Sequence, residues 1–228
     1  MKYRTLGRTG ASVSVLGFGA SPLGDVFGKT DAAERNRSVH HAIGQGINFF
    51  DVSPYYGKTL AEERLGEALD GKRQQVFLAT KCGRYDDRSF DFSRQRIRQS
   101  IDESLARLRT EYVDLLQAHD VEFSDARQIA EETIPALREI QQEGKTRFIG
   151  ITGYSLRVMT EIAEQAPVDT ILSYCRYNLL SSDMDSMLTP FARAQGIGLI
   201  NASPLHMGIL TTNGAPAWHP APRPASSM

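Results

Sequence analysis

Seven short runs of β-forming, apolar residues alternate along this chain with longer segments of helical period, and that alternation constrains the fold more than any other feature. The runs cover 15–19, 48–53, 76–81, 113–119, 147–152, 170–175 and 198–203, and their near-continuous apolar character predicts strands buried on both faces. Between them, 31–45, 61–69, 93–108, 127–143, 155–165 and 184–194 repeat apolar residues at i, i+3, i+4, as Ile97, Ile101, Leu105 and Leu108 illustrate. Ahead of the first unit, YRTL at 3–6 and SVSV at 12–15 flank the turn-forming Gly7-Arg8-Thr9-Gly10 and predict a short hairpin that serves as a plug or lid.

Repeated βα steps with no break in composition predict a (β/α)8 TIM barrel in preference to a doubly wound open sheet. No G-x-G-x-x-G follows the first strand, because Gly17, Gly19 and Gly24 have the wrong spacing. After Leu210 the chain reads TTNGAPAWHPAPRPASSM, with no strand period. The expectation is therefore a barrel domain over 1–210 without its eighth strand and final helices, and an irregular Pro/Ala-rich tail over 211–228.

At 228 residues and 41% hydrophobic content the chain can bury one substantial core. Twenty-six basic residues against 27 acidic ones, with no long run of either sign, disfavour nucleic acid or an anionic membrane as partner and leave a small molecule as the expected ligand. The start, MKYRTLGRTG, lacks the apolar centre of a signal peptide, and no stretch approaches the ~18 apolar residues of a membrane span, so a cytoplasmic location is expected. Cys82 and Cys175 are far apart without metal-ligand spacing, so they read as small buried hydrophobes and no metal site is expected.

In a barrel of this kind the site forms at the C-terminal strand ends, and four ends stand out. NFFDVSPYYG, FLATKCGRY, DLLQAHD and FIGITGY bring Asp51, Tyr56, Lys81 and His119 toward one mouth. A buried Lys81 needs a counter-ion, which Asp51 on the neighbouring strand supplies. A phenol ionises near pH ~10, and an adjacent ammonium lowers that value, so a tyrosine here reads as a general acid/base. His119 can donate to a substrate oxygen. Singly, each residue has an ordinary structural role: Asp51 as a cap, Lys81 as a solvated strand-end charge, His119 as a satisfied core histidine. Spacing alone does not choose between Tyr55 and Tyr56.

The four residues together resemble the aldo-keto reductase pattern of Asp, Tyr five residues later, then Lys and His ending the next two strands. Leu6-Gly7-Arg8-Thr9-Gly10, Gly17-Phe18-Gly19, EGKTRFIG at 143–150 and Ala202-Ser203-Pro204-Leu205 extend the resemblance over residues 1 to about 220. Within the family, FGASPLG, INFFDVSPYYG, ATKCGRY, SIDESLARL and GKTRFIGITG are most similar to the plant-type L-galactose dehydrogenase subgroup.

This resemblance implies an NAD(P)-dependent oxidoreductase that interconverts an aldose or alcohol and its lactone or carbonyl. Tyr56 would exchange the proton, Asp51 and Lys81 would tune it, and His119 would orient the substrate. NAD or NADP is expected across the mouth near Gly19, Asp51, Thr152, Tyr174, Ser203, Pro204 and Leu205. A second implication stays open, a family member that binds cofactor without turning over. Two departures mark the pattern: Thr152-Gly153 stands where many members have Ser-Asn, and Ala202 offers no ring where one commonly stacks on the nicotinamide. The family's determinants of NAD against NADP lie in its eighth strand and following helix, and the stretch after Leu210 carries no such pattern.

Overall fold

The computed structural model describes residues 1–215. A two-stranded antiparallel hairpin, β1 (Tyr3–Thr5) and β2 (Ser12–Ser14), precedes a seven-stranded sheet. The sheet comprises β3 (Phe18–Gly19), β4 (Phe49–Asp51), β5 (Phe77–Cys82), β6 (Val113–Ala118), β7 (Thr146–Gly153), β8 (Thr170–Tyr174) and β9 (Gly198–Ala202). The strands pair in chain order and all are parallel, as a βα repeat requires. Within the described residues β3 and β9 are the two edges. The tail expected over 211–228 lies, from 216 onward, outside the described residues.

The helices form where the helical period predicts them. They are α1 (Ala32–Gly44), α2 (Leu60–Ala68), α3 (Arg94–Leu108), α4 (Ala126–Gln128), α5 (Ile134–Gln142), α6 (Leu156–Gln165) and α7 (Thr189–Gln195). Local chemistry sets their starts: Asp31 accepts from the Glu34 amide at 3.0 Å, and Ser93 and Ser155 cap α3 and α6 in the same way.

Three expectations need correction. The first strand is two residues long, not five, because the Val15 amide still pairs with Lys2 in the hairpin and Val15 and Leu16 are exposed. The helix expected over 127–143 is interrupted by a π turn (Ile129–Thr133), and that over 184–194 opens with another (Met184–Leu188). Both π turns stand just before a proline, Pro135 or Pro190. In each, the residue preceding the proline donates five residues back, Ile134 to Ile129 and Thr189 to Met184. A proline removes the next donor and crowds the carbonyl four residues earlier, and a widened turn relieves both.

Residues paired in register face the same side of a sheet, and successive residues alternate. The row Asp51, Ala79, Leu115, Phe148 therefore shares one face, and so does the row Lys81, Gln117, Gly150. Phe49, Phe77, Ala79 and Leu115 pack on that face with Leu6 and Val13 of the hairpin, which identifies it as the barrel interior and the hairpin as its floor. Phe77 stacks between Phe49 and Phe148 at 5.6 and 6.2 Å. Burying Leu6 and Val13 there contributes about 2 kcal/mol each. Gly7 makes the close fit possible: its φ is +51°, and a Cβ would lie 2.2 Å from the Gly198 amide. The larger core, with Phe50, Leu78, Leu116, Ile149 and Ile151, fills the space between the sheet and its helices.

Two aspartates stitch the N-terminal ends of the strands. Asp114 accepts from the Leu78 amide at 2.9 Å, from Arg73 at 2.9 Å and from Arg147 at 2.7 Å. Asp169 repeats the device, accepting from the Ile149 amide at 2.9 Å and from Arg138 at 3.1 Å. Asp114 is buried, so Asp114→Ala, which leaves the Leu78 amide unpaired and removes the counter-charge of Arg73, is expected to cost about 3 kcal/mol. Arg147→Ala, at a half-exposed partner, is expected to cost less than ~1 kcal/mol. Urea denaturation of both variants reads the difference, and equal losses would rule out the backbone stitch as the source of Asp114's effect.

Candidate active site

Three neighbouring strands deliver the candidate catalytic group. Asp51 ends β4, Lys81 is the penultimate residue of β5, and His119 follows β6, with its amide donating to Cys82 carbonyl oxygen at 2.9 Å. Each lies on inward-facing parity. Tyr56 comes from the loop after β4, where Gly57 holds a φ of +63° and a Cβ would sit 2.1 Å from the Gly24 carbonyl oxygen. That contact presses the Tyr56 turn against the 3-10 turn Ser21–Gly24 and aims the phenol at the mouth.

Lys81 is 1% exposed, and its ammonium must find its partners within the protein. It pairs with Asp51 Oδ1, donates to the Val52 carbonyl at 2.9 Å and reaches the Tyr56 hydroxyl at 3.3 Å. Gln117 donates from Nε2 to the other Asp51 oxygen at 3.1 Å, so both carboxylate oxygens are engaged. The His119 ring stands edge-on to Tyr56, with centroids 5.8 Å apart.

The same geometry separates the two tyrosines that spacing alone left open. Tyr56 lies against Lys81. Tyr55 turns outward, donates to Asp87 at 2.8 Å and carries the Arg84 guanidinium 3.9 Å above its ring. Burial, and then the bond to Asp87, push the Tyr55 phenol up to about 12.

The electrostatics depart from the expectation for Tyr56. Burial raises its phenol above the ordinary value, and the Lys81 ammonium only partly offsets that rise. Tyr56 therefore rests as a neutral phenol. Burial also disfavours the Lys81 ammonium, yet Asp51 and Tyr56 together hold it above its ordinary value. His119 is driven well below its ordinary value by burial and by the charges of Lys81 and Arg84, so its ring is neutral at pH 7. The mouth thus presents a Lys81 ammonium tied to a carboxylate, a protonated phenol and an uncharged imidazole, with the Arg84–Asp120 ion pair beside it.

The residues expected to hold a cofactor are spread more widely. A cavity of about 950 Å3 opens between the β3 and β9 edges and is lined at the mouth by Gly19, Asp51, Ser203 and Pro204. A Cβ on Gly19 would meet nothing within 4 Å, which leaves room beside Asp51 for a flat ring. Tyr174 ends β8 with its ring 5.5 Å from Tyr154, and Leu205 is exposed just past β9. Thr152 is buried and accepts from the Asp120 amide at 3.0 Å, so it braces the loop after β6. Gly153 has a physical reason as well: the Glu122 carboxyl would lie 2.3 Å from a Cβ there, and it caps the next turn by accepting from the Tyr154 amide at 2.6 Å.

Sequence reasoning missed Ser53, Gln117, Arg84 and Asp120. Ser53 bonds His119, Gln117 bonds Asp51, and Arg84 pairs with Asp120 beside the imidazole. The signal for the first two was parity, since 53 and 117 are each two residues from a residue already assigned to the inner face.

Known proteins are similar to this chain in sequence and fold. The model of the Aldo/keto reductase family matches residues 15–225. L-galactose dehydrogenase of Arabidopsis thaliana is 52% identical over 227 residues, covering 97% of this chain and 70% of that protein. D-arabinose 1-dehydrogenase of Saccharomyces cerevisiae is 33% identical over 227 residues, covering 92% and 66%. The solved holo form of aldo-keto reductase AKR11C1 from Bacillus halodurans matches with a TM-score of 0.83 at 31% identity, over 95% of this chain and 71% of that one. The chain spans between 61% and 71% of the length of the curated relatives set beside it. By family match, identity and fold alike, the chain belongs to the aldo/keto reductase family.

Proposed function

We propose that this protein is an NAD(P)-dependent oxidoreductase that oxidises an aldose at its anomeric carbon to the lactone, with L-galactose as substrate. The observation that carries the reading is the buried Lys81 ammonium, held by Asp51 and 3.3 Å from the Tyr56 hydroxyl, with His119 edge-on to the same phenol. The 52% identity to Arabidopsis L-galactose dehydrogenase supports the choice of sugar.

The open space at Gly19, the Tyr174 ring and the Ser203-Pro204-Leu205 turn fit a nicotinamide dinucleotide lying against Asp51, and those residues would hold it. Bound NAD(P) supplies the hydride acceptor for oxidation, or the donor for the reverse reaction. The protein's own part is proton handling. Tyr56 takes the proton of the anomeric hydroxyl during oxidation and returns one to a carbonyl oxygen during reduction. Its neutral resting state suits the reductive direction, and oxidation requires the phenolate that Lys81 stabilises. Asp51 keeps Lys81 charged in a dry site, and Gln117 holds Asp51 in place.

Cofactor binding without turnover is the alternative reading, and the open space over Gly19 beside Asp51 is compatible with it. Fluorescence titration of the full chain with NADH and NADPH, followed by assay of L-galactose oxidation, distinguishes the two. Saturable binding with turnover is the expected outcome, the tighter ligand names the cofactor, and binding without turnover would leave the sensing role. Absence of binding by a folded sample would overturn both.

Two substitutions test the roles. Tyr56→Phe is expected to lower turnover by about 10³-fold while cofactor affinity stays within about twofold, whereas Tyr55→Phe retains most of the rate. The reverse ranking would move the acid role to Tyr55. Lys81→Met removes the charge that opposes burial at Tyr56, so the phenol rises further and the oxidative pH–rate curve shifts to higher pH. An unshifted curve would show that Lys81 does not tune Tyr56.

A further inference from the structure

Ser53 is completely buried at the mouth, two residues past Asp51 on the same inward parity. Its Oγ lies 3.0 Å from His119 Nδ1 and 3.1 Å from the Tyr55 backbone nitrogen. A serine hydroxyl carries one proton and accepts through its lone pairs. The Tyr55 amide can only donate, so it takes a lone pair of Oγ. Were Nδ1 protonated, both neighbours would donate into Oγ. The hydroxyl proton would then have no second acceptor within hydrogen-bond reach among the described residues, an arrangement that buried hydroxyls avoid. With the hydroxyl donating to Nδ1, all three groups are satisfied, and the ring proton resides on Nε2.

The rest of the imidazole's surroundings agrees. The groups facing it are Lys81 from β5, Arg84 from the loop after β5, Asp120 from the end of β6, and the rings of Tyr55 and Tyr56 at 5.9 and 5.8 Å. Asp120 Oδ2 lies 3.7 Å from Nε2, beyond hydrogen-bond length, and is paired with Arg84. Among the described residues Nε2–H is therefore left to serve a ligand.

We propose that Ser53 is a positioning residue that locks His119 in the Nε2–H tautomer, so that the imidazole offers a donor and not a lone pair to the oxygen held beside Tyr56. This rests on the oxidoreductase reading above and adds a requirement to it. An anomeric hydroxyl has a single proton. When its oxygen accepts from Nε2–H, that proton can point only at Tyr56. A lone pair on Nε2 would compete for the proton and turn it away from the phenol. In the reductive direction the same N–H polarises the carbonyl that Tyr56 protonates.

The test reads the tautomer directly in the full chain labelled with ¹⁵N-histidine. Long-range ¹H–¹⁵N correlation assigns His119 by the signals that vanish in His119→Gln. The expected wild-type pattern is an acceptor-type Nδ1 and a protonated Nε2. Ser53→Ala should move both nitrogens toward the averaged shifts of exchanging tautomers, and Ser53→Thr, which keeps the hydroxyl, should retain the wild-type pattern. A protonated Nδ1 in the wild type, or an Ser53→Ala spectrum identical to it, overturns the proposal. These signals do not depend on turnover, so the tautomer lock and the oxidoreductase reading can fail separately. In an active enzyme, Ser53→Ala should also lower kcat at least ~10-fold with KM within ~3-fold, with the rate restored in Ser53→Thr.

Discussion

A buried ammonium that must not lose its counter-ion organises this molecule's working end. Lys81 sits on an interior strand with almost no water contact, and a charge so placed persists only when its partner and hydrogen bonds are arranged for it. Asp51 supplies the charge, Val52 and Tyr56 accept from the remaining N–H groups, and Gln117 fixes the far oxygen of Asp51. Each of these groups depends on register. Asp51 pairs with Ala79 and Lys81 with Gln117, so a slip of one residue between β4 and β5 would turn Lys81 toward α2 and leave Asp51 without a partner. Outside the barrel, Thr80 holds the same strand by donating to the buried Glu62 carboxylate, which Arg107 neutralises at 2.7 Å. The outer packing thereby fixes the strand on which the inner charge rides.

Much of this was legible in the sequence because its determinants are local and periodic. Strand–helix alternation located all seven strands of the main sheet, and the polar endings of apolar runs marked Asp51, Lys81 and His119. What escaped has physical causes. A hairpin that continues through Val15 leaves only Phe18 and Gly19 to pair with β4, and apolar character does not tell a hairpin residue from a barrel residue. The π turns before Pro135 and Pro190 keep helical composition while changing the hydrogen-bond step. Tyr55 and Tyr56 are adjacent and chemically identical, so only the turn pinned by Gly57 against Gly24 decides which one meets Lys81. The sign of the Tyr56 shift was also beyond sequence reasoning, since it balances an ammonium at 3.3 Å against a degree of burial that only the fold determines.

The two halves of the proposed chemistry rest on different parts of the sheet. Asp51, Ser53, Lys81, Gln117 and His119 come from β4, β5 and β6, and each of these strands is paired on both sides. Their geometry is therefore held by complete ladders and by the stacked phenylalanines beneath them. Gly19 and the Ser203-Pro204-Leu205 turn lie instead at the end of β3 and just past β9. Proton transfer tolerates little displacement, because Tyr56 and His119 must reach one substrate oxygen while Lys81 stays on the Tyr56 hydroxyl, and the interior strands supply that rigidity. The fold thus carries the proton-transfer geometry on strands that are paired on both sides.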